Sequence, residues 1–311
     1  MSTDYRTAGR ARRWGYRLLP GDGFSYVLLL RPREWPLIGG HVLVAFLIGA
    51  LGGVGTGIGA ARVLLGIVLY VVCLNGGALA VNSAFDRDEG DVGYLDAPPP
   101  PPRHLAAFSV VLMLAGLAVA AAAGLPGAFL VVYAVAVVLA IVYSVPPLRW
   151  KAVAGLDLAL NALGFGLTTT LAGWFLTGAP LYPWAVFLLG GFVPLFGALY
   201  PLTQLYQIET DRARGDRTLA VAIGPRAALG VSIGAAALSF ALFAAGLRLH
   251  GGPGWPILLL PAAAWAWVLG RWYARCGDLS AGQHKKQMYS ALQAWAVTDV
   301  AVVAAVWLSS L

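Results

Sequence analysis

The chain has 311 residues, of which 59% are hydrophobic and only 11% are charged, and its mean hydropathy is +0.75. Globular domains carry about 25% charged residues, so the composition excludes a water-soluble protein and indicates a polytopic membrane protein. The formal net charge is +7. The positive residues are nevertheless dispersed among apolar stretches, without a basic patch and interleaved aromatics, and we expect no nucleic-acid partner.

Nine apolar stretches are long enough to cross a bilayer, which needs about 20 residues per helix. The predicted fold is therefore an all-α membrane protein with nine transmembrane helices. We expect residues 1–30 to form a cytoplasmic N-terminal tail and residues 31–311 to form one nine-helix domain. The predicted spans cover residues 35–53, 62–83, 105–123, 127–145, 152–176, 184–206, 226–247, 254–275 and 288–309.

The basic residues predict the orientation of these spans. If the N-terminus is cytoplasmic, that face receives 19 of the 21 lysines and arginines, and only Arg62 and Arg248 fall on the other face. Cytoplasmic loops are enriched in Lys and Arg. We therefore expect an integral membrane protein of the cell membrane with its N-terminus and its site on the cytoplasmic side.

One ten-residue template occurs twice. Residues 82–91 read NSAFDRDEGD and residues 207–216 read QIETDRARGD, so both have an amide, three residues, Asp-Arg, two residues and Gly-Asp. Positions i and i+4 of a helix share a face, which places Asn82 over Asp86 and Gln207 over Asp211. Both copies fall at cytoplasmic ends of spans, the second and the sixth.

These templates hold most of the chain's acidic residues. Of the 14 carboxylates, five lie between residues 86 and 96 and three between 207 and 216. Charges at helix ends are often merely solvated, but a repeated template in a chain this poor in charge favours a functional role. Oxygen ligands of this kind suit Mg²⁺ shared with substrate phosphates, and two such ends would make a clamp for a diphosphate.

A basic segment lies between the fourth and fifth spans. Residues 143–151 read YSVPPLRWK, where Pro146 and Pro147 stop the helix and hold an extended turn. Arg149 and Lys151 are then either positive-inside anchors or, beside a metal clamp, partners for diphosphate oxygens.

Three further features carry less specific signals. The proline run 98–102 is stiff and extended, and it forms either a spacer or a wall of the site. Ionisable groups inside a membrane are functional candidates because they are costly there. Asp157, with Asn161 on the same helix face, is close enough to the cytoplasmic end to join a polar cavity, whereas Asp299 is either a functional group or a hydrogen-bonded packing group.

Taken together, four motifs in order make the chain resemble the UbiA superfamily of intramembrane prenyltransferases. The resemblance covers nearly the whole chain. Its motifs are LRPREW at residues 30–35, NSAFD at 82–86, YSVPPLRWK at 143–151 and DRARGDRTLAVAIG at 211–224. It implies nine helices around a central cavity, with Mg²⁺ and an isoprenyl diphosphate bound by two aspartate-rich motifs.

The resemblance also implies roles for individual residues. The family's first motif matches Asn82 and Asp86, but its next Asp falls on Gly90, so that Asp88 or Asp91 would have to substitute. In the second motif Asp211 matches, and Gln207 replaces the earlier Asp. The expected metal ligands are drawn from Asn82, Asp86, Asp88, Asp91, Gln207, Asp211 and Asp216. The expected diphosphate-binding residues are Arg31, Asn82, Arg149, Lys151, Gln207 and Arg217, and the expected catalytic residues are Asp86, Asp211, Lys151 and Tyr143.

The predicted reaction is the Mg²⁺-assisted transfer of an isoprenyl group from its diphosphate to an acceptor, a hydroxylated aromatic or another lipophilic molecule, within the bilayer. A membrane terpene cyclase would keep the ionisation and need no acceptor. A transporter for a phosphorylated lipid or ion would instead place carboxylates at mid-membrane and break its helices there. In this chain the acidic residues gather at one face.

Overall fold

A computed structural model describes residues 9–86 and 95–311 of the chain. This part is almost entirely helical, and it contains one isolated backbone bridge but no β-strand. Nine of its helices are long and apolar enough to cross a membrane, which confirms the predicted fold class.

We number the helices of the described residues in chain order. The N-terminal helix is α1 (Arg10–Leu18), and the first candidate span, Gly23–Val54, contains α2 (Gly23–Leu29) and α3 (Trp35–Gly49). The next five spans are α4 (Ala60–Asp86), α5 (Leu105–Ala122), α6 (Gly127–Ser144), α7 (Leu156–Phe175) and α8 (Pro183–Gln204). Two short helices follow, α9 (Ile208–Arg214) and α10 (Leu219–Ile223). The last three spans are α11 (Pro225–His250), α12 (Trp255–Asp278) and α13 (Ala281–Ser309).

The observed helices differ from the expected spans mainly at the two ends of the chain. Residues 10–29, expected as a tail, form α1 and α2, although the domain boundary at residue 30 stays a prediction. The last span begins at Ala281, seven residues before the apolar stretch. A capping box explains the earlier start, because the Ser280 side chain accepts from the Gln283 backbone N–H and the Gln283 side chain accepts from the Ser280 backbone N–H.

The chain divides into two compact units that are not contiguous in sequence. The first unit comprises Met1–Gly40 and Ala60–Arg149, and the second comprises His41–Gly59 and Trp150–Leu311. The first template falls in the first unit and the second template in the second unit.

In the first unit, the N-terminal helices pack against the membrane-spanning ones. Leu29 and Leu30, at the end of α2, are buried together with Ala80 of α4 and Leu105 of α5. Tyr26 and Phe108 make an edge-to-face contact with ring centroids 5.0 Å apart. These contacts hold the segment that carries Arg31 against the last turns of α4.

In the second unit, small residues let helix backbones approach closely. Gly246 of α11 is an example: a Cβ there would lie 2.8 Å from the Leu188 backbone nitrogen and 2.9 Å from the Trp184 carbonyl oxygen of α8. Beside this contact the rings of Phe192 and Phe243 pack edge to face at 4.8 Å. Small residues commonly serve this purpose in membrane proteins, where van der Waals packing drives helix association.

Several buried polar side chains in the second unit's spans pair with one another, whereas Asp299 Oδ1 and His41 Nε2 are buried without a hydrogen-bond partner. Trp265 donates to the Thr298 hydroxyl at 3.1 Å, and Trp272 donates to His284 Nδ1 at 2.8 Å. Asp299 accepts from Trp295 Nε1 at 3.1 Å and lies 3.4 Å from His41 Nδ1. These contacts favour the interpretation of Asp299 as a hydrogen-bonded packing group.

Asp157 is the centre of a polar network in the second unit. Its side chain is fully buried. One carboxylate oxygen accepts from the Gly155 backbone N–H at 2.8 Å, and the other accepts from Gln204 Nε2 at 2.7 Å and from the Leu219 backbone N–H at 3.1 Å. The Gln204 amide oxygen in turn accepts from the Ala220 backbone N–H at 3.0 Å. The network thus joins the start of α7, the end of α8 and the start of α10.

This network generates a prediction about stability. Asp157→Ala should leave buried donors on Gln204 and Leu219 without a partner, at a cost of about 3 kcal/mol. We expect a clear fall in the thermal unfolding midpoint of the purified protein, together with faster proteolysis in residues 211–219. The matched control is Asp96→Ala, because Asp96 pairs with Arg33 at an exposed position and such pairs contribute about 0–1 kcal/mol. Equal stability of the two variants would contradict the structural role of Asp157.

Candidate functional site

The first template begins on the last turns of α4. Asn82 and Asp86 are one helical turn apart, as the template predicted, and both are half-buried. Ser144, at the end of α6, donates to the Asn82 amide oxygen at 3.3 Å. Arg149 Nη2 lies 3.4 Å from the Asp86 carboxylate, whose side chain is 14% exposed. A carboxylate and a predicted diphosphate-binding cation of the first unit are therefore direct neighbours.

Arg31 lies beside the same turns of α4. Its guanidinium is buried, donates to Ser83 at 3.4 Å and pairs with Glu34 at 3.5 Å. Its Nε atom is buried without a hydrogen-bond partner. Buried donors are nearly always paired, and a guanidinium binds carboxylates and phosphates best through two parallel N–H groups. This arginine therefore has an unused donor suited to an anion.

The two arginines of this cluster also share an unusual backbone conformation. Arg31 has a φ of 51° and Arg149 a φ of 37°, and the only other non-glycine residue with positive φ in the described part of the chain is Ala97. Such conformations cost of order 1–3 kcal/mol and tend to occur at functional sites. The fold thus holds both cations in conformations that most residues avoid.

The other expected residues of the first unit are less informative. Tyr143 lies in the last turn of α6, half-buried and next to Ser144. Asp88 and Asp91 lie outside the described residues. Arg12 of α1 donates to the carbonyl oxygens of Asp96 and Ala97, which anchors the backbone just before the proline run.

The second template is placed differently from the expectation. Span α8 ends at Gln204, and Asp211 lies in the first turn of a separate short helix, α9. The sequence pattern suggested one continuous span ending in this template, but the buried Gln204 side chain bonds to α10 and the chain turns there. Asp211 is buried, and its carboxylate accepts from the Thr218 hydroxyl at 3.2 Å.

A glycine shapes the loop between Asp211 and Thr218. Gly215 has a φ of 76° at the C-terminal cap of α9, and the Asp216 backbone N–H then bonds to the Asp211 carbonyl at 3.0 Å. A left-handed residue at this position is typical of helix ends and is usually glycine. The Gly-Asp step of the template therefore folds residue 216 back over the start of the motif.

Gln207 occupies the position before α9. It is the N-terminal cap residue, and its side-chain amide donates to the Tyr206 hydroxyl at 3.2 Å. Its amide oxygen is thus the atom suited to a metal or water, while its nitrogen is engaged within the protein.

The basic segment meets the second template through the backbone. Val153 forms an isolated parallel bridge with Arg217. Lys151, two residues before Val153, is buried, whereas the Arg217 side chain is exposed. The second unit therefore brings the segments that carry these two cations side by side.

The oxygen donors fit a hard divalent cation. No group of three His, Cys, Asp or Glu side chains lies together within residues 9–86 and 95–311. Mg²⁺ does not require such a group, because it usually retains several waters and is bound by one or two carboxylates together with substrate phosphates. Asn82 and Asp86 in the first unit, and Asp211 in the second, offer ligands of this kind.

Several residues of these clusters were not singled out by the sequence patterns. Gln204, Thr218, Ser83 and Ser144 all bond to motif residues or to Asp157. An amide side chain near the end of an apolar span was a usable signal for Gln204. Single hydroxyl residues carry no comparable signal, since they are frequent in loops and helix ends.

Comparison with known proteins supports a common family. Residues 42–293 match the model of the UbiA prenyltransferase family. A lycopene elongase/hydratase of Halobacterium salinarum is 33% identical over 224 residues, which cover 71% of this chain and 79% of that protein.

Solved structures share the fold. A UbiA homolog from Archaeoglobus fulgidus bound to DMAPP and Mg²⁺ superposes with a TM-score of 0.66 at 21% identity, covering 89% of this chain and 99% of that one. A digeranylgeranylglyceryl phosphate synthase gives a TM-score of 0.69 at 13% identity, covering 91% and 98%. With the family model matched over most of its length, the chain belongs to the UbiA prenyltransferase family.

Proposed function

We propose that this chain transfers an isoprenyl group from an isoprenyl diphosphate to a lipophilic acceptor inside the membrane, with Mg²⁺ as cofactor. The observation that carries the proposal is the buried Arg31, whose Nε donor is unpaired beside the helix turns that hold Asn82 and Asp86. A relative of similar fold was solved with DMAPP and Mg²⁺, which supports the same substrate class here.

Each residue of the two clusters has a defined task in this proposal. The proposed Mg²⁺ ligands are Asn82 and Asp86 in the first unit, and Asp211 in the second unit with Gln207 and Asp216 as further candidates. Asp88 and Asp91 lie outside the described residues. Arg31, Arg149, Lys151 and Arg217 bind the diphosphate oxygens, and Tyr143 lies within the same motif as Lys151. When bound, Mg²⁺ neutralises negative charge on the diphosphate leaving group.

The protein's own cations complete the charge balance. As the carbon–oxygen bond to the diphosphate breaks, negative charge accumulates on its oxygens, and fixed guanidinium and ammonium groups stabilise that charge. The isoprenyl group is left as an allylic cation, which needs surroundings without water. A double bond or aromatic ring of the acceptor attacks this cation, which forms a carbon–carbon bond and leaves a new cation on the acceptor. That cation loses a proton, or adds water and then releases a proton.

We further propose a linear polyene hydrocarbon as acceptor. The matched relative of 33% identity is named a lycopene elongase/hydratase, and this name favours a carotenoid over a hydroxylated aromatic ring.

The cytoplasmic placement of the N-terminus and of the site remains part of the proposal, and the distribution of 19 of the 21 basic residues supports it.

The carboxylate assignment predicts a loss of turnover. Asp86→Asn and Asp211→Asn should each lower product formation by about 100-fold or more, because each removes a charged metal ligand. Removing Mg²⁺ with a chelator should have the same effect on the unchanged protein, and added Mg²⁺ should reverse it. Asp278→Asn is the control, since Asp278 is exposed at the end of α12. Diphosphate release from dimethylallyl diphosphate is measured for the two site variants, the chelated protein and the control variant. Normal activity of either site variant would refute that residue's role.

Arg31 predicts an effect on substrate affinity. Arg31→Gln keeps a polar side chain but removes the charge and the paired N–H groups, so that KM for the isoprenyl diphosphate should rise about tenfold or more. The neighbouring Arg33→Gln serves as control because Arg33 is 72% exposed and its partner Asp96 is 68% exposed. Equal KM values for both variants would remove Arg31 from the site.

The acceptor proposal is tested by product analysis. Membranes containing the chain, given dimethylallyl diphosphate and lycopene, should form products one or two five-carbon units larger than lycopene by mass spectrometry. In a second arm of the experiment, the same membranes receive geranyl or geranylgeranyl diphosphate without any acceptor. Cyclic hydrocarbons in that arm would instead establish a terpene cyclase, and transfer to a hydroxylated aromatic but not to lycopene would overturn the polyene assignment.

A further inference from the structure

A small basic pocket lies at one end of the second unit, where α12 and α13 are joined. Its volume is about 140 Å³. The side chains of α12 and α13 face each other across it, and Leu279 of the connection closes the end. The lining residues are Arg271, Arg275, Leu279, Gln283, Lys286 and Gln287.

The charges of this pocket have one sign. Arg271 and Arg275 are one helical turn apart on α12, and Lys286 approaches from α13. Like charges at this spacing destabilise a helix, and no carboxylate is among the lining residues. Gln283 and Gln287 add amide groups that can donate hydrogen bonds. The pocket is therefore built to receive an anion.

Its position along the helices is that of a membrane surface. Residues 255–270 of α12 contain no charged residue before Arg271, and residues 287–298 of α13 contain none after Lys286. The guanidinium of Arg271 lies 5.0 Å from the ring centre of Trp267, which is 65% exposed and one turn nearer the apolar part of the helix. Tryptophan at this depth is typical of the interface between lipid tails and headgroups.

We propose that this pocket binds the phosphate group of an anionic phospholipid. The two arginines and Lys286 contact the phosphate oxygens, Gln283 and Gln287 donate to the headgroup, and the exposed Trp267 packs against the glycerol and upper acyl chain. An anion at this depth, flanked by an exposed aromatic ring on the tail side, fits a membrane lipid better than a soluble phosphate. The pocket shares no lining residue with those assigned to prenyl transfer, and the proposal does not rest on that assignment.

The binding step is tested by native mass spectrometry on the full chain released from detergent. Phosphatidylglycerol and phosphatidylcholine are added at equal concentration, and phosphatidylglycerol should remain bound preferentially. Arg271→Gln/Arg275→Gln should reduce its retention about tenfold or more, since each basic residue near an anionic surface contributes measurably to binding. Arg226→Gln/Arg248→Gln is the control, because it removes two arginines that stack on the rings of Tyr273 and Trp255 and do not line the pocket.

A second measurement needs no variant. The thermal unfolding midpoint of the unchanged protein should rise with phosphatidylglycerol, since a ligand of the folded state stabilises it, and should not rise with inorganic phosphate. Equal retention of phosphatidylglycerol by the pocket and control variants would overturn the proposal. So would an equal stabilisation by inorganic phosphate, which would make the pocket a site for soluble anions.

Discussion

A carboxylate buried among apolar helices is stabilised when both of its oxygens accept hydrogen bonds, and Asp157 meets this condition. Its three donors come from the turn before α7, from the end of α8 and from the start of α10. Breaking such a group is costly because the remaining partners are left unpaired in a medium that offers no water. The position of the second aspartate motif depends on this interaction, since Asp211 and Thr218 lie on the chain between α8 and α10.

The Arg31 and Arg149 cluster illustrates the opposite condition. Both arginines adopt positive φ values, and Arg31 retains a buried N–H without a partner. Such features lower stability, and they persist only where the surrounding packing fixes them. In the first unit that packing comes from Leu29 and Leu30, which are buried against α4 immediately before Arg31. The N-terminal helices thus hold a cation whose free donor the fold itself does not use.

The sequence predicted the larger features well. Nine spans follow from long apolar stretches, and the described residues contain nine helices long and apolar enough to cross a membrane. The family follows from four motifs in order and is confirmed. The i, i+4 relation of Asn82 and Asp86 also holds. The second motif was placed on the end of a span, whereas the chain turns after Gln204 and begins a new helix. Hydropathy does not record this turn, because it depends on hydrogen bonds between Gln204, Asp157 and Ala220, which are distant in sequence.

The roles of individual residues are harder to predict for the same reason. Asp157 was expected to join a polar cavity, and its contacts show instead a carboxylate whose oxygens are occupied by the protein. Asp299 could be a functional or a packing group by sequence, and its partners Trp295 and His41 favour packing. The metal and diphosphate assignments remain predictions, because they concern groups that bind to the folded chain.

The division of the first long apolar stretch between the two units has a consequence for any attempt to take the protein apart. Residues 41–59 belong to the second unit, and there Gly173 lies so close to the Val42 carbonyl that a side chain would collide with it. Ala45 and Ile48 fill the same core beside Trp174. A fragment starting at Trp150 would lack Ala45 and Ile48 from its core and would leave Trp174 exposed to solvent. The N-terminal and C-terminal halves of the polypeptide are thus not independent folding units. A chimera of two relatives that exchanges one unit would need crossovers after residues 40, 59 and 149.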